Sequence, residues 1–255
     1  MTEMQGRVVV VTGAGGGIGS AVCRSFAEIG ASIVLVYRSS KTATEDLMAS
    51  LANQDGQQHI MVQANVDNST EMAHLAQVVA GTYGRVDVLV NNAGFTQFVA
   101  HDDLTGLNDD LIDRIFQVNF RGAFAGVRVF KDLLMQGAAD GDPALVINMS
   151  SIAGTTGEGS NVAYCASKAA MDSMTRSLAR ALAPHIRVLS VAPGLVDGEY
   201  AKNMDAEWYD AQVQTTPLKR LAMADDVAAA CVAAATHLKF TTGNIIHVDG
   251  GRPLA

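Results

Sequence analysis

A cluster of glycines joins an apolar run to a helical pattern near the start of the chain. The run Arg7–Thr12 reads as a buried strand, and the spacing of apolar residues in Ile18–Gly30 is that of an amphipathic helix ending in glycine. Between them, residues 12–19 read Thr-Gly-Ala-Gly-Gly-Gly-Ile-Gly. Because glycine has no side chain, the backbone N–H groups of such a turn can approach a phosphate at the helix N-terminus. The strand–loop–helix order therefore predicts a nucleotide-binding unit.

The rest of the chain alternates short β-rich runs with helical segments. The further runs are Ser32–Tyr37, His59–Val62, Val86–Val90, Ala144–Met149, Arg187–Val191 and Asn244–Val248. This alternation is typical of a parallel sheet covered by helices on both faces. We therefore expect a single α/β domain over residues 1–255, built on a Rossmann-type doubly wound parallel sheet of about seven strands.

Residues 197–217 are predicted to be an irregular insertion that forms a lid over a substrate site. Its aromatic and apolar residues include Tyr200, Met204, Trp208 and Tyr209. An amphipathic helix that packs its apolar side on the body would use the same residues, so both interpretations stay open.

Charge and cysteine content argue against several classes of protein. The net charge of −8 does not suit a nucleic-acid-binding surface, which needs concentrated Lys and Arg. Three widely spaced cysteines indicate neither a disulfide framework nor a zinc site, and the histidines and acidic pairs show no metal-ligand spacing. No run of about 18 apolar residues predicts a membrane span. We expect a cytoplasmic protein that binds a small molecule and no metal.

The spacing of the glycines distinguishes between kinds of phosphate loop. A phosphate-transferring P-loop ends in Gly-Lys-Ser/Thr, whereas Gly19 is followed directly by Ser20. The common dinucleotide pattern also fails, because its sixth position holds an isoleucine. The spacing instead resembles that of the short-chain dehydrogenase/reductase family, in which Thr-Gly is followed by three residues, a glycine, one further residue and another glycine. The resemblance extends to Val-Asp-Gly-Gly at residues 248–251 and thus covers almost the whole chain.

Four polar residues make up the candidate catalytic set, and these are Asn119, Ser151, Tyr164 and Lys168. Tyr164 and Lys168 are four residues apart in a helical segment, so their side chains lie on one face. Ser151 follows a strand, which brings its hydroxyl to the same sheet edge, whereas the adjacent Ser150 would face the other side. Hydride transfer to a carbonyl builds negative charge on oxygen, and a phenol beside an ammonium can supply both a hydrogen bond and a proton.

The resemblance gives each of these residues a role. Tyr164 would exchange the proton and Ser151 would donate a second hydrogen bond to the carbonyl. Lys168 would favour the phenolate and hold the nicotinamide ribose, and Asn119 would connect the lysine to a water relay. A Ser-His-Asp hydrolase is a poor alternative, because Ser151 does not lie in a Gly-x-Ser-x-Gly sequence.

The resemblance also implies a nicotinamide dinucleotide. The second strand ends in Val-Tyr-Arg-Ser-Ser and lacks the carboxylate by which NAD-selective proteins bind ribose hydroxyls. Arg38 can present two donors to a 2′-phosphate, so NADP(H) is favoured and NAD(H) is the alternative. The predicted cofactor contacts are Gly13, Gly15, Gly17, Ile18, Gly19, Arg38, Ser39, Asn65, Val66, Asn91, Ala93, Gly94, Tyr164, Lys168, Pro193, Gly194 and Val196.

Two positions depart from the family pattern. Gly198 stands where a threonine commonly contacts the cofactor phosphate, and Leu189 stands where asparagine is frequent. Both departures affect contacts of local loops, and neither removes a predicted catalytic group.

Together with the resemblance, these patterns predict reversible hydride transfer between NADP(H) and a ketone or secondary alcohol, as in a carbonyl reductase. Related activities implied by the resemblance are those of 3-oxoacyl-carrier-protein reductases and of sugar or polyol dehydrogenases. An acidic chain is a poor match for an acidic carrier protein. A noncatalytic dinucleotide sensor is a further alternative. The resemblance also implies a homotetramer that associates through helices near Phe116–Met135 and Val162–Ala183.

Overall fold

The predicted strands form one parallel sheet. The structure is a computed structural model that describes residues 3–53, 56–138, 141–198, 201 and 205–254. The sheet has the order β3-β2-β1-β4-β5-β6-β7. Its strands are β1 Val8–Thr12, β2 Ser32–Tyr37, β3 Ile60–Gln63, β4 Val88–Asn91, β5 Ala144–Met149, β6 Ile186–Pro193 and β7 Ile245–Val248. The predicted doubly wound parallel sheet is confirmed. Both ends of every predicted strand lie within two residues of the ends of the corresponding observed strand.

Helices cover both faces of the sheet. They are α1 Gly17–Glu28, α2 Lys41–Ser50, α3 Ser69–Tyr83, α4 Asp109–Phe116, a π-helix Gln117–Gly122, α5 Ala123–Gly137, α6 Ala153–Thr156, α7 Val162–Leu182, α8 Ala206–Thr215, α9 Ala224–Thr236 and a 3₁₀ turn Arg252–Leu254. Side chains from α1, α2 and α9 pack on one face, and those from α3, α5 and α7 pack on the other. Of the helices in the described ranges, none has the length and hydrophobicity to cross a bilayer.

The strands are buried on both sides, which explains their continuous apolar character. In β1, Val9 and Val11 contact the α1 side, and Val8 and Val10 contact the α3 side. The chain reverses its direction of winding between β1 and β4, and such a reversal generally forms a crevice at the carboxyl ends of the strands. This edge is the expected position of a ligand.

The predicted lid contains one described helix. None of the residues of α8 is fully buried, and Trp208 and Tyr209 are half-buried. Arg252 donates a hydrogen bond to the side chain of Gln212 in α8, which attaches the helix to the C-terminal turn. Tyr200 and Met204 lie outside the described residues. The covering role of the stretch stays a prediction.

Candidate active site

The glycine loop between β1 and α1 is fixed by its own surroundings. Gly13 has φ +66°, a conformation that residues with a side chain rarely adopt. A Cβ at Gly19 would overlap the carbonyl oxygen of Gly13 and lie 2.8 Å from Asn92 Nδ2. A Cβ at Gly15 would overlap the hydroxyl of Ser40. These close approaches explain why the loop needs glycine at three of the predicted positions.

The N-terminus of α1 is open to a ligand. A Cβ at Gly17 would meet no described atom within 4 Å. No side chain of the described residues caps α1 at Gly16, and its first turn carries no acidic residue. The backbone N–H groups at this end, including that of Ile18, have no intrahelical partner and favour an anion. The cradle therefore fits the pyrophosphate of a dinucleotide.

Thr12 and Asn92 hold the glycine loop against the end of β4. Asn92 Nδ2 donates to the carbonyl oxygens of Thr12 and Gly13, at 2.9 and 3.1 Å. Thr12 Oγ1 accepts the backbone N–H groups of Asn92 and Ala93, both at 3.0 Å. Neither side chain is among the predicted contacts, although the threonine begins the glycine motif and Asn92 directly follows the predicted contact Asn91.

Asn91 lies beneath the site, with its side chain turned inward. It is 3% exposed, and its Nδ2 donates to Asn148 Oδ1 at 2.9 Å. Asn148 Nδ2 donates to Thr175 Oγ1 at 2.8 Å, and Thr175 shares a 2.9 Å hydrogen bond with Ser190 Oγ. A polar chain thus crosses from β4 to β6. Because this chain uses the side chain of Asn91, a cofactor contact at this residue would involve its backbone.

The end of β2 presents an exposed cation and hydroxyl groups. Arg38 and Ser39 are exposed, and no described carboxylate lies within ion-pair distance of Arg38. The backbone is nevertheless held, because Gln63 Nε2 donates to the Arg38 carbonyl oxygen at 2.9 Å. Ser40 precedes the first residue of α2, and its hydroxyl makes no capping hydrogen bond within the described chain. These groups could bind a phosphate.

Asn65 and Val66 line the same side of the crevice. The backbone N–H of Asn65 donates to Glu71 Oε2 at 2.7 Å. This bond holds the turn after β3 through the backbone of Asn65 and does not use the Asn65 side chain. Val66 is buried beneath the π-helix, and a Cβ at Gly122 would come within 2.7 Å of Val66 Cγ2. This close packing brings the π-helix up to the sheet edge.

Asn119 lies in the π-helix and is completely buried. Its Oδ1 accepts the backbone N–H of Phe95 at 2.8 Å, and its Nδ2 donates to the carbonyl oxygen of Phe95 at 3.0 Å. It also donates to Ser167 Oγ at 3.1 Å. These bonds join the segment after Gly94 to α7. These three hydrogen bonds occupy the side-chain amide of Asn119. A connection from Asn119 to a water relay would therefore use its backbone carbonyl oxygen, which lies in the wider turn of the π-helix.

Tyr164 and Lys168 lie one turn apart at the start of α7. Asn161 caps this helix, accepting the backbone N–H of Tyr164 at 2.7 Å and donating to the carbonyl oxygen of Gln97 at 2.7 Å. Lys168 Nζ lies 5.6 Å from the centroid of the Tyr164 ring. It donates to the carbonyl oxygen of Met149, the last residue of β5, at 2.7 Å. The predicted pair therefore lies at the carboxyl end of β5.

Burial defines the electrostatics of the lysine. Lys168 is 5% exposed, and this burial lowers its pKa to about 8, while the negative charge of Asp172 acts in the opposite direction. Burial disfavours the ammonium form because a charge loses its solvation. An amine with such a pKa can change its protonation state near physiological pH.

The neighbouring serines face opposite sides, in agreement with the alternation expected after a strand. Ser150 is 3% exposed, and its hydroxyl donates to the backbone carbonyl of Lys168 at 3.5 Å. Ser151 is half-buried, and its Oγ accepts the N–H of Ala153 at 3.2 Å. The hydroxyl of Ser151 retains its proton for donation to another acceptor.

The end of β6 completes the edge. The carbonyl oxygen of Pro193 accepts the N–H of Ile152 at 3.0 Å, which places this strand beside Ser151. A Cβ at Gly194 would lie 2.9 Å from the Cα of Asp249. Val196 follows and forms an isolated bridge with Ala222. Catalytic and cofactor candidates from several strands therefore meet at one edge of the sheet.

Comparisons with known proteins agree with this geometry. A family model described as Enoyl-(Acyl carrier protein) reductase matches residues 13–252. A 3-oxoacyl-(acyl-carrier-protein) reductase of Synechocystis sp. is 32% identical, with 98% of each chain covered. Among solved structures, a Brucella melitensis protein titled short-chain dehydrogenase/reductase SDR:Glucose/ribitol dehydrogenase and the Pseudomonas aeruginosa RhlG/NADP active-site complex are each 28% identical, cover 98% of both chains and have TM-scores of 0.88. The chain is an oxidoreductase that belongs to the short-chain dehydrogenase/reductase family.

Proposed function

We propose that the protein is an NADP(H)-dependent carbonyl reductase that acts reversibly on a ketone or secondary alcohol. The observation that carries this proposal is the buried Lys168, with Nζ 5.6 Å from the Tyr164 ring centroid, at the edge shared with Ser151. The open N-terminus of α1 supports a bound dinucleotide beside them.

The chemistry assigned to the chain is proton transfer and stabilisation of charge on oxygen. The bound dinucleotide supplies the hydride that adds to the carbonyl carbon. Tyr164 gives its hydroxyl proton to the carbonyl oxygen as negative charge develops there, and Ser151 donates a second hydrogen bond to the same oxygen. The ammonium of Lys168 favours the resulting phenolate. In the oxidation direction, Tyr164 takes the proton back from the alcohol.

The preference for NADP(H) is supported by the residues after β2. Arg38, Ser39 and Ser40 offer a guanidinium and two hydroxyls beside the N-terminus of α2, with no described carboxylate paired to Arg38. Charge-assisted hydrogen bonds from such groups suit a 2′-phosphate. The RhlG structure is named as an NADP complex, which is consistent with this proposal.

The substrate proposal is a free carbonyl compound, and 3-oxoacyl thioesters form the second candidate. The name of the Synechocystis relative supports a thioester, whereas that of the Brucella neighbour points to sugars or polyols. A panel of ketones, sugars, 3-oxoacyl thioesters and enoyl thioesters, assayed with NADPH and NADH, separates these classes. Turnover of enoyl thioesters alone would contradict carbonyl reduction.

Replacement of the phenol tests the mechanism. In Tyr164→Phe, we expect turnover of the best substrate to fall by roughly 10²–10⁴-fold, because the proton donor is removed. Cofactor binding, followed by NADPH fluorescence, should change little, since the ring is retained. Equal turnover in the variant and the parent would rule out the proposed role of Tyr164.

We also propose a cytoplasmic homotetramer that associates through α5 and α7. The outer side of these helices exposes apolar or small side chains, which include Phe124, Val162, Ala166 and Ala169. A reducing compartment suits the free cysteines Cys23, Cys165 and Cys231, which are all buried.

A further inference from the structure

A second charged residue is buried on the same side of α7 as Lys168. Asp172 lies four residues further along the helix and is 2% exposed. None of the described residues makes a hydrogen bond to either of its carboxylate oxygens. A buried carboxylate without donors is unfavourable unless a positive charge compensates it. Residues spaced four apart on a helix lie side by side, which directs Asp172 to the charge of Lys168.

Lys168 is buried, which strengthens this interaction. A Cβ at Gly154 would come within 2.9 Å of the backbone carbon of Lys168 and the backbone nitrogen of Ala169. The backbone of α6 therefore lies directly on α7 at this turn. The carbonyl oxygen of Met149 accepts one hydrogen bond from Nζ, which leaves two N–H donors of the ammonium for other groups. At a buried position, a neighbouring negative charge stabilises an ammonium more than it would in bulk water.

Other charges near α7 are turned away from Lys168 or are paired elsewhere. The charged residues of α4 and α5 that are exposed include Asp109, Asp110, Asp113, Arg128, Lys131 and Asp132. Arg114 and Arg121 both bind Asp67, and Arg187 in β6 donates to carbonyl oxygens at the end of α9. The residues of α6 and those at the end of β5 are uncharged. On α7 itself, Arg176 and Arg180 are exposed, so the titratable groups that we place beside Lys168 among the described residues are Tyr164 and Asp172.

We propose that Asp172 is a positioning residue that keeps Lys168 in its ammonium form and so extends the reaction to higher pH. The inference rests on the roles proposed for Tyr164 and Lys168, and it deepens them. Asp172 acts through the lysine and touches neither substrate nor cofactor. Burial alone lowers the pKa of Lys168, and the opposing charge of Asp172 limits that decrease.

The test measures the protonation of Lys168 directly. The chain has six lysines, so protein labelled with ¹³C at the lysine Cε carbon gives a short list of NMR signals, and Lys168→Arg identifies that of Lys168. In Asp172→Asn, which keeps the shape and removes the charge, we expect the titration midpoint of Lys168 to fall by about one pH unit or more. Asp172→Glu keeps the negative charge, so the Lys168 midpoint in this variant should stay close to that of the parent protein.

Asp226→Asn is the matched control. Asp226 binds Arg220 and the N–H of Met223 at the start of α9, so its loss should lower thermal stability without moving the Lys168 titration. An unchanged Lys168 midpoint in folded Asp172→Asn, or an equal fall in Asp172→Glu, would overturn the proposal.

Enzyme assays separate this inference from the proposed mechanism. When Lys168 is the ammonium that assists Tyr164, the alkaline limit of turnover should move to lower pH together with the NMR midpoint in Asp172→Asn. A shifted midpoint with an unchanged alkaline limit would support the charge coupling and overturn the catalytic role of Lys168.

Discussion

Arg38 is the residue on which the choice of cofactor depends. Its guanidinium is exposed after β2, whereas its backbone is held by Gln63. Replacing it by aspartate substitutes a repulsive group for a donor at the place of the 2′-phosphate. In Arg38→Asp, we expect NADPH affinity to fall by about 10–100-fold, while NADH affinity stays equal or improves.

Fluorescence titration with both cofactors measures this difference. Arg24→Asp changes the net charge equally at an exposed site in α1 and is expected to leave the ratio of the two affinities unchanged. If Arg38→Asp weakened NADPH and NADH alike, Arg38 would have no part in recognising the 2′-phosphate.

Residue spacing predicted that the candidate side chains share one sheet edge, but it did not predict every side-chain direction. The sequence predicted that Ser151 and Ser150 would face opposite sides, and the structure agrees. It did not predict that Asn91 turns inward to Asn148, because both asparagines lie in strands distant in sequence. Their contact depends on strand order, which the local pattern does not contain.

In the loop between β1 and α1, substitution of two different glycines by alanine is expected to have opposite effects. Gly19→Ala places a methyl group against Gly13, so we expect the melting temperature to fall by ~2–10 °C. Gly17→Ala finds open space and should keep the melting temperature, but its methyl group would enter the proposed phosphate cradle and weaken NADPH binding at least about tenfold.

Thermal melting and NADPH titration of both variants check the pair. Full NADPH affinity in Gly17→Ala would contradict the assignment of this helix end to the pyrophosphate. An unchanged melting temperature in Gly19→Ala would mean that the loop can relax away from the contact.

The elements themselves were largely predictable, with one exception. Buried parallel strands consist of continuous apolar runs, and these are recognisable without a partner. The predicted helix near Phe116–Met135 is interrupted at its start by the π-helix that contains Asn119. Phe95 and Ser167 bind this asparagine from other parts of the chain, and such tertiary contacts cannot be recognised in the local sequence pattern.

The proposed tetramer would cover the outer faces of α5 and α7. Light scattering coupled to size exclusion should give four times the chain mass of 26.7 kDa. Ala166→Arg places a large charge on the exposed side of α7 and should reduce the measured mass, because burying an unpaired charge at an interface is unfavourable. A monomeric parent protein at all concentrations would contradict this assembly.

The fixed glycine loop also affects the thermodynamics of cofactor binding. Thr12 and Asn92 hold the loop in one conformation within the folded protein. The entropy that its glycines lose is therefore lost when the chain folds, and association with a dinucleotide need not order this segment. The first strand and helix thus offer the cofactor a preformed template, and the unfavourable entropy of its binding should come from regions outside the loop.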